Sequence, residues 1–157
     1  IDAFPNDFVD VHSHVLPNLD DGPSTIDESI LLLDRLKSYG IRKMICTPHI
    51  MEGIWENTSD LINVRTQQMR HQLKLSNAED IAIKAAAEYM VDDNFRALLA
   101  RNELMTFGDN LVLIEIHFFS PPLDLYELLF QLRLMNSWPV IAGPERYRVF
   151  FVNSAEI

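Results

Sequence analysis

Asp10-Val11-His12-Ser13-His14 places a carboxylate and two imidazoles on alternate residues of one short stretch. In an extended chain residues two apart point to the same side, so these three side chains can converge on one point. Neutral imidazoles with a carboxylate form a donor set for Zn²⁺, Mn²⁺ or Fe²⁺. An isolated H-x-H is equally compatible with two polar loop histidines, so the reading turns on where further donors lie. His49 follows the apolar run Met44-Ile45-Cys46, Glu88 follows the alternating Ile81, Ile83, Ala85 and Ala87, and Glu115 ends Leu111-Val112-Leu113-Ile114. Donors recurring behind successive apolar runs are hard to explain as surface polarity. His117, two residues beyond Glu115, is a minor candidate, and His71 sits in a polar stretch as an ordinary surface residue.

The elements that must position these residues alternate between two periods. Phe8 to Val11 reads as a first strand, and Thr25-Ile26-Asp27-Glu28 has the spacing of a capping box at a helix start. Ile26, Ile30, Leu33 and Leu36 continue at helical spacing, with Gly40 placed to end the helix. Lys43 to Thr47 reads as a buried strand stopped by Pro48, and Thr58 to Leu75 as a helix packed on Leu61, Val64 and Leu73. Ile81 to Ala87 gives a third strand. Asp92 and Asp93 open a short helix through Leu99, and Leu111 to Ile114 gives a fourth strand. A helix on Leu125, Leu128, Leu129, Leu132 and Met135 leads to a fifth, Pro139 to Ala142. Strands alternating with helices imply parallel strands joined by crossovers, in an open sheet or a barrel. In both, the site lies beyond the carboxyl ends of the strands, where these donors gather.

Composition limits what the site can belong to. With 157 residues and 48% hydrophobic content, a single domain over 1–157 is expected. No apolar run approaches the roughly 20 residues of a membrane-spanning helix, and no secretory leader is recognisable, so a cytoplasmic location is expected. Asn57-Thr58-Ser59 matches a glycosylation pattern that matters only in a secreted protein. A formal net charge of −10 argues against nucleic acid as a partner. The single cysteine, Cys46, lies inside an apolar run and reads as a small buried residue rather than a nucleophile.

Asp10-Val11-His12-Ser13-His14-Val15-Leu16-Pro17, Asp20-Asp21-Gly22, Cys46-Thr47-Pro48-His49, Ala86-Ala87-Glu88-Tyr89, Leu113-Ile114-Glu115 and Pro144-Glu145-Arg146-Tyr147 follow one another in order. Together they resemble the PHP-superfamily bacterial protein-tyrosine phosphatases, the metal-dependent CpsB/YwqE type of capsular and exopolysaccharide synthesis. The resemblance implies an α/β fold, a partial PHP-type distorted (βα)7 barrel of about five parallel strands. It also implies divalent ions, Mn²⁺ ahead of Fe²⁺ or Zn²⁺, and hydrolysis of phosphotyrosine on a bacterial tyrosine kinase. Carried over, it makes His12, His14, His49, Glu88 and Glu115 metal ligands, Asp10 an orienting partner of an imidazole, and Arg146 the phosphate-binding residue. A guanidinium suits that last role because its fork of donors matches phosphate oxygens.

The sequence departs from the family pattern at Gly143, where the pattern has a metal-ligating histidine. The last strands of the family barrel would lie beyond Ile157. Val149-Phe150-Phe151-Val152 is a β-prone run that can form a sixth strand or pair with a second copy, so self-association is expected if the chain ends at Ile157. The alternatives are a catalytically inactive metal-binding or oligomeric assembly module, or another PHP phosphoesterase such as a histidinol-phosphate phosphatase.

Overall fold

A computed structural model describes residues 4, 5, 7–118 and 120–147. Among the described residues seven strands alternate with four α-helices: β1 (Asp10–Ser13), α1 (Ile26–Ser38), β2 (Lys43–Cys46), β3 (His49–Ile50), α2 (Ser59–Leu75), β4 (Ala82–Ala85), β5 (Glu88–Met90), α3 (Asp93–Arg101), β6 (Leu111–Glu115), α4 (Leu125–Leu134) and β7 (Trp138–Ile141). All strand pairs are parallel, which bears out the α/β class. The strands fall into two sheets, β1-β2-β4 and β3-β5-β6-β7, so no closed barrel forms among the described residues.

The second and third expected strands are each interrupted. The chain leaves the three-stranded sheet after Cys46 and enters the four-stranded one at His49, and repeats the move between Ala85 and Glu88. Pro48, with no N–H to give, sits in the first gap. Backbone bonds carry the pairing across: Thr47 N–H to the Ser13 carbonyl at 2.8 Å, Ala86 N–H to Cys46 at 2.8 Å and Glu88 N–H to Pro48 at 3.1 Å. Five strand passes therefore lie side by side, as expected, two of them jointed. His49 and Glu88 consequently open new strands rather than close old ones.

Local chemistry explains the helices. Thr25 accepts from Glu28 N–H while Glu28 reaches back to the Thr25 N–H, completing the capping box, a pairing that stabilises the helix by about 1 kcal/mol. Thr58 and Asp92 cap α2 and α3 in the same side-chain-to-backbone manner. The expected face of α2 is corrected: Leu61 and Val64 are exposed, and Ile62, Thr66, Met69 and Leu73 are buried. Thr66 turns its hydroxyl to the Ile62 carbonyl at 2.8 Å, which lets a polar residue join the apolar face. Met135, expected on the buried face of α4, falls just past the helix and is exposed.

The helices cover one face of the strands, and the opposite face is only partly covered, with Val9 and Val11 exposed. Met44, Cys46, Val112 and Ile114 point into the main core with Leu33, Ile62, Met69 and Phe95, while the intervening Ile45 and Leu113 pack with Ala86, Phe107 and Ala142 on the other side. The Val149-to-Val152 run lies outside the described residues. No helix among the described residues is long and apolar enough to cross a membrane.

Candidate metal centre

The structure brings His12, His14, His49, Glu88 and Glu115 together at the joints between the two sheets. Glu88, fully buried at the start of β5, is the hub: its Oε2 lies 2.9 Å from His12 Nε2, 3.1 Å from His14 Nε2 and 3.5 Å from His49 Nδ1. His49 Nδ1 is 3.6 Å from Glu115 Oε2. Three overlapping groups could each hold an ion: His12, His14 and Glu88; His49, Glu88 and Glu115; and His14, Asp21 and His49.

Two features test whether these residues fit a divalent ion. His49 Nδ1 and Glu88 Oε1 are buried with no hydrogen-bond partner, which is costly unless something cationic faces them. Two donor atoms about 2.1 Å from a shared ion at a tetrahedral angle stand about 3.4 Å apart. The 3.5 and 3.6 Å separations around His49 match that spacing and exceed a hydrogen bond. The donor set fits.

Electrostatics point the same way. Burial would raise the Glu88 carboxyl, yet the hydrogen bonds from His12 and His14 outweigh it and hold the group down at about 2. Burial and the nearby Glu88 charge together push Glu115 upward, the mark of two carboxylates crowded without enough positive charge between them.

Asp10 is not brought into this cluster. β1 gains one residue against β2, since Asp10 faces Met44 and Ser13 faces Cys46, and this irregularity breaks the two-residue alternation. Asp10 Oδ1 instead accepts the His12 backbone N–H at 3.1 Å. The carboxylate that holds an imidazole is Asp20, which sequence reasoning left unassigned. Its fully buried side chain takes His14 Nδ1 at 2.7 Å and the backbone N–H groups of His49 at 2.9 Å and Gly22 at 3.0 Å. Gly22 makes that turn possible, because a Cβ there would lie 2.4 Å from the His14 carbonyl oxygen. Asn57 adds a second tie, its amide donating to the carbonyls of Leu19 at 2.7 Å and His49 at 2.8 Å.

The cluster floors an open cavity of about 620 Å³. Met51, Ile54, Trp55, Met90 and Phe118 supply its apolar wall, and His117 and Arg146 its rim. Trp55 stacks on His49, with ring centroids 4.6 Å apart and planes within 11°, and Met51 and Trp55 close the loop by exchanging backbone bonds of 2.9 Å. Arg146, in the short turn Pro144–Arg146, places Nη2 4.0 Å from Glu115 Oε1. Cys46 is completely buried in the core, and burial pushes its thiol up to about 12, so it takes no part as a nucleophile.

A sequence profile of the family described as capsular polysaccharide synthesis, CpsB/CapC, matches residues 8–157. The chain belongs to the CpsB/CapC family. Among its relatives, tyrosine-protein phosphatase YwqE of Bacillus subtilis is 32% identical over 143 residues, covering 89% of this chain and 55% of YwqE. Tyrosine-protein phosphatase CpsB of Streptococcus pneumoniae is 30% identical over 140 residues, covering 88% of this chain and 57% of CpsB. A solved structure described as belonging to YwqE from Bacillus subtilis and CpsB from Streptococcus pneumoniae, unique metal-dependent tyrosine phosphatases, superposes with a TM-score of 0.83. It is 29% identical and covers 92% of this chain and 58% of that one. The chain thus spans little more than half the length of these CpsB/CapC relatives.

Proposed function

We propose that this chain acts as a metal-dependent protein-tyrosine phosphatase of capsular or exopolysaccharide synthesis, its substrate the phosphotyrosine of a bacterial tyrosine kinase in the cytoplasm. The observation that carries the reading is the cluster of His12 and His14 with the buried His49, Glu88 and Glu115, two of its donor atoms orphaned, beneath a cavity walled by Trp55 and Phe118. His12, His14 and Glu88 would hold one ion and His49, Glu88 and Glu115 another, with Asp21 as a further donor. The mixed imidazole and carboxylate set suits Mn²⁺, Fe²⁺ or Zn²⁺, with Mn²⁺ the first choice. When bound, such ions set positive charge against phosphoryl oxygens and make a water acidic enough to attack phosphorus at neutral pH.

The chain's own residues do the rest. Arg146, on the rim, pairs its guanidinium with the phosphate oxygens. Met51, Ile54, Trp55 and Phe118 take the tyrosyl ring, and the burial of Glu88 and Glu115 keeps water from competing for their charge. Self-association belongs to the same proposal: among the described residues β1 and β7 are outermost in their sheets, and α4 turns Tyr126, Phe130 and Leu134 outward at 82%, 62% and 71% exposure.

Metal analysis and hydrolysis of a phosphotyrosine peptide on one sample test the reading. Expected are bound metal and turnover stimulated by added Mn²⁺, both lost in a His12→Ala, His14→Ala variant. Absence of metal and turnover would overturn it. Gly143, which offers no donor where the family pattern has a histidine, favours a second reading, a metal-binding module without catalysis; metal bound without turnover would support that one.

A further inference from the structure

The loop after β3 is a small hairpin. Met51 and Trp55 exchange backbone bonds of 2.9 Å, and Gly53 turns the tip at φ 76°. A Cβ on Gly53 would meet no heavy atom within 4 Å, so the tip stands clear of the body. The base of the hairpin is tied to the metal cluster: Trp55 stacks on His49, and Asn57 donates to the His49 carbonyl at 2.8 Å. The tip is tied elsewhere. Glu52 N–H donates to Asp92 Oδ2 at 2.8 Å, while Asp92 Oδ1 accepts the Phe95 N–H at 2.8 Å and caps α3. Asp92 lies two residues past β5, the strand that opens with Glu88. One carboxylate thus spans the start of a helix and the hairpin whose Met51, Ile54 and Trp55 wall the cavity.

We infer that Asp92 is a positioning residue: its second oxygen latches the 51–55 hairpin against the centre and so sets how tightly the cavity grips an aromatic ring beside the phosphate. The inference rests on the tyrosyl role given to the cavity wall above. The two duties of Asp92 can be separated. Capping α3 needs one acceptor oxygen, and Asn or Ser supplies it about as well as Asp does. Holding Glu52 at the same time needs the other oxygen, which Asn replaces with an NH₂ donor and Ser lacks. Asp92→Asn and Asp92→Ser therefore keep the helix and release the tip. The bond from Glu52 N–H is exposed, so the freed donor turns to water, and release costs the hairpin its angle rather than the protein its fold.

The test uses this chain loaded with Mn²⁺ and two probes that cannot be hydrolysed, benzylphosphonate and methylphosphonate, which differ by the aromatic ring. Calorimetry gives both affinities for the unaltered chain, Asp92→Asn, Asp92→Ser, Trp55→Ala and the Asp92→Asn, Trp55→Ala double variant. The preference for benzylphosphonate should fall roughly two- to tenfold in both Asp92 variants, the range of one hydrogen bond. Methylphosphonate affinity, metal content and helicity should hold. In a Trp138→Phe background, where Trp55 is the one tryptophan left of two, its fluorescence should become more open to acrylamide in both variants. Adding Asp92→Asn to Trp55→Ala should cost little further preference. If the unaltered chain prefers benzylphosphonate and the Asp92 variants keep that preference, the latch fails and the tyrosyl reading stands. If the unaltered chain binds both probes alike, or neither, the tyrosyl reading itself fails and the latch with it. Equal losses for both probes, or full additivity in the double variant, would reduce Asp92 to a structural residue and overturn the inference.

Discussion

His14 Nδ1 and Asp20 Oδ2 meet at 2.7 Å, and the same carboxylate oxygen takes the backbone N–H of His49 at 2.9 Å. One buried aspartate thus fixes the ring of one candidate ligand and the backbone of a second. A carboxylate behind a ligating imidazole sets its tautomer and orientation, and removing such a partner lowers metal affinity by about 10- to 100-fold. Asp20→Asn should show a loss of that size in chelator competition, with the fold retained by circular dichroism. Unchanged affinity would mean that His14 is oriented by other contacts.

The same contact makes metal binding depend on pH. Burial would lower His14, but hydrogen bonds and charge from Asp20 and Glu88 outweigh it and raise the imidazole to about 10. In the metal-free protein its protonated form contributes stability that is complete below the unfolded value of about 6.5 and is lost as pH rises toward 10. A ligand imidazole must be neutral, so binding should release one proton, and affinity should rise about tenfold per pH unit between pH 7 and 9. Calorimetry in buffers of different ionisation enthalpy counts that proton. A count of zero would remove His14 from the ligand set.

Trp55 stacks on His49 and lines the cavity, so under the proposed function it would meet both the imidazole and the tyrosyl ring. Trp55→Ala should lower kcat/KM for a phosphotyrosine peptide by about two- to tenfold relative to a phosphoserine peptide, in line with about 0.5–1.5 kcal/mol for an aromatic contact. Trp55→Phe should restore most of the ratio. If both substrates decline equally, the tryptophan acts only through His49.

Cys46 supplies a control on the chemistry. With its thiol at about 12 and no exposure, it should resist alkylation in the native protein at pH 8 and react only on unfolding. Cys46→Ala should keep Mn²⁺-stimulated turnover. Loss of turnover with the fold and metal content intact would contradict a mechanism without a cysteine nucleophile.

Much of this arrangement was legible in residue spacing. The capping box at Thr25 and Glu28, the stop at Pro48 and the run ending in Glu115 mark elements whose local chemistry decides them, and the structure follows. Other features depend on neighbours. The extra residue in β1 that turns Asp10 away is visible only against β2, and Asp20 reaches His14 because a turn folds back, which no two-residue period can express. Helix α2 carries too few apolar residues for its phase to be certain from sequence, and tertiary packing chose the face of Ile62 and Met69 over that of Leu61 and Val64. Trp55 gave no signal, since its role follows from the ring it covers.

The jointed strands put the candidate ligands on different bodies: His12 rides on the three-stranded sheet, and His49, Glu88 and Glu115 on the four-stranded one. An ion shared by His12 and Glu88 would act as a rivet across that seam. Backbone bonds at Thr47, Ala86 and Glu88 hold the same seam, and Trp55 and Phe118 both follow strands of the four-stranded sheet. Extracting the ion would therefore loosen His12 against the cavity floor while leaving the aromatic wall in place.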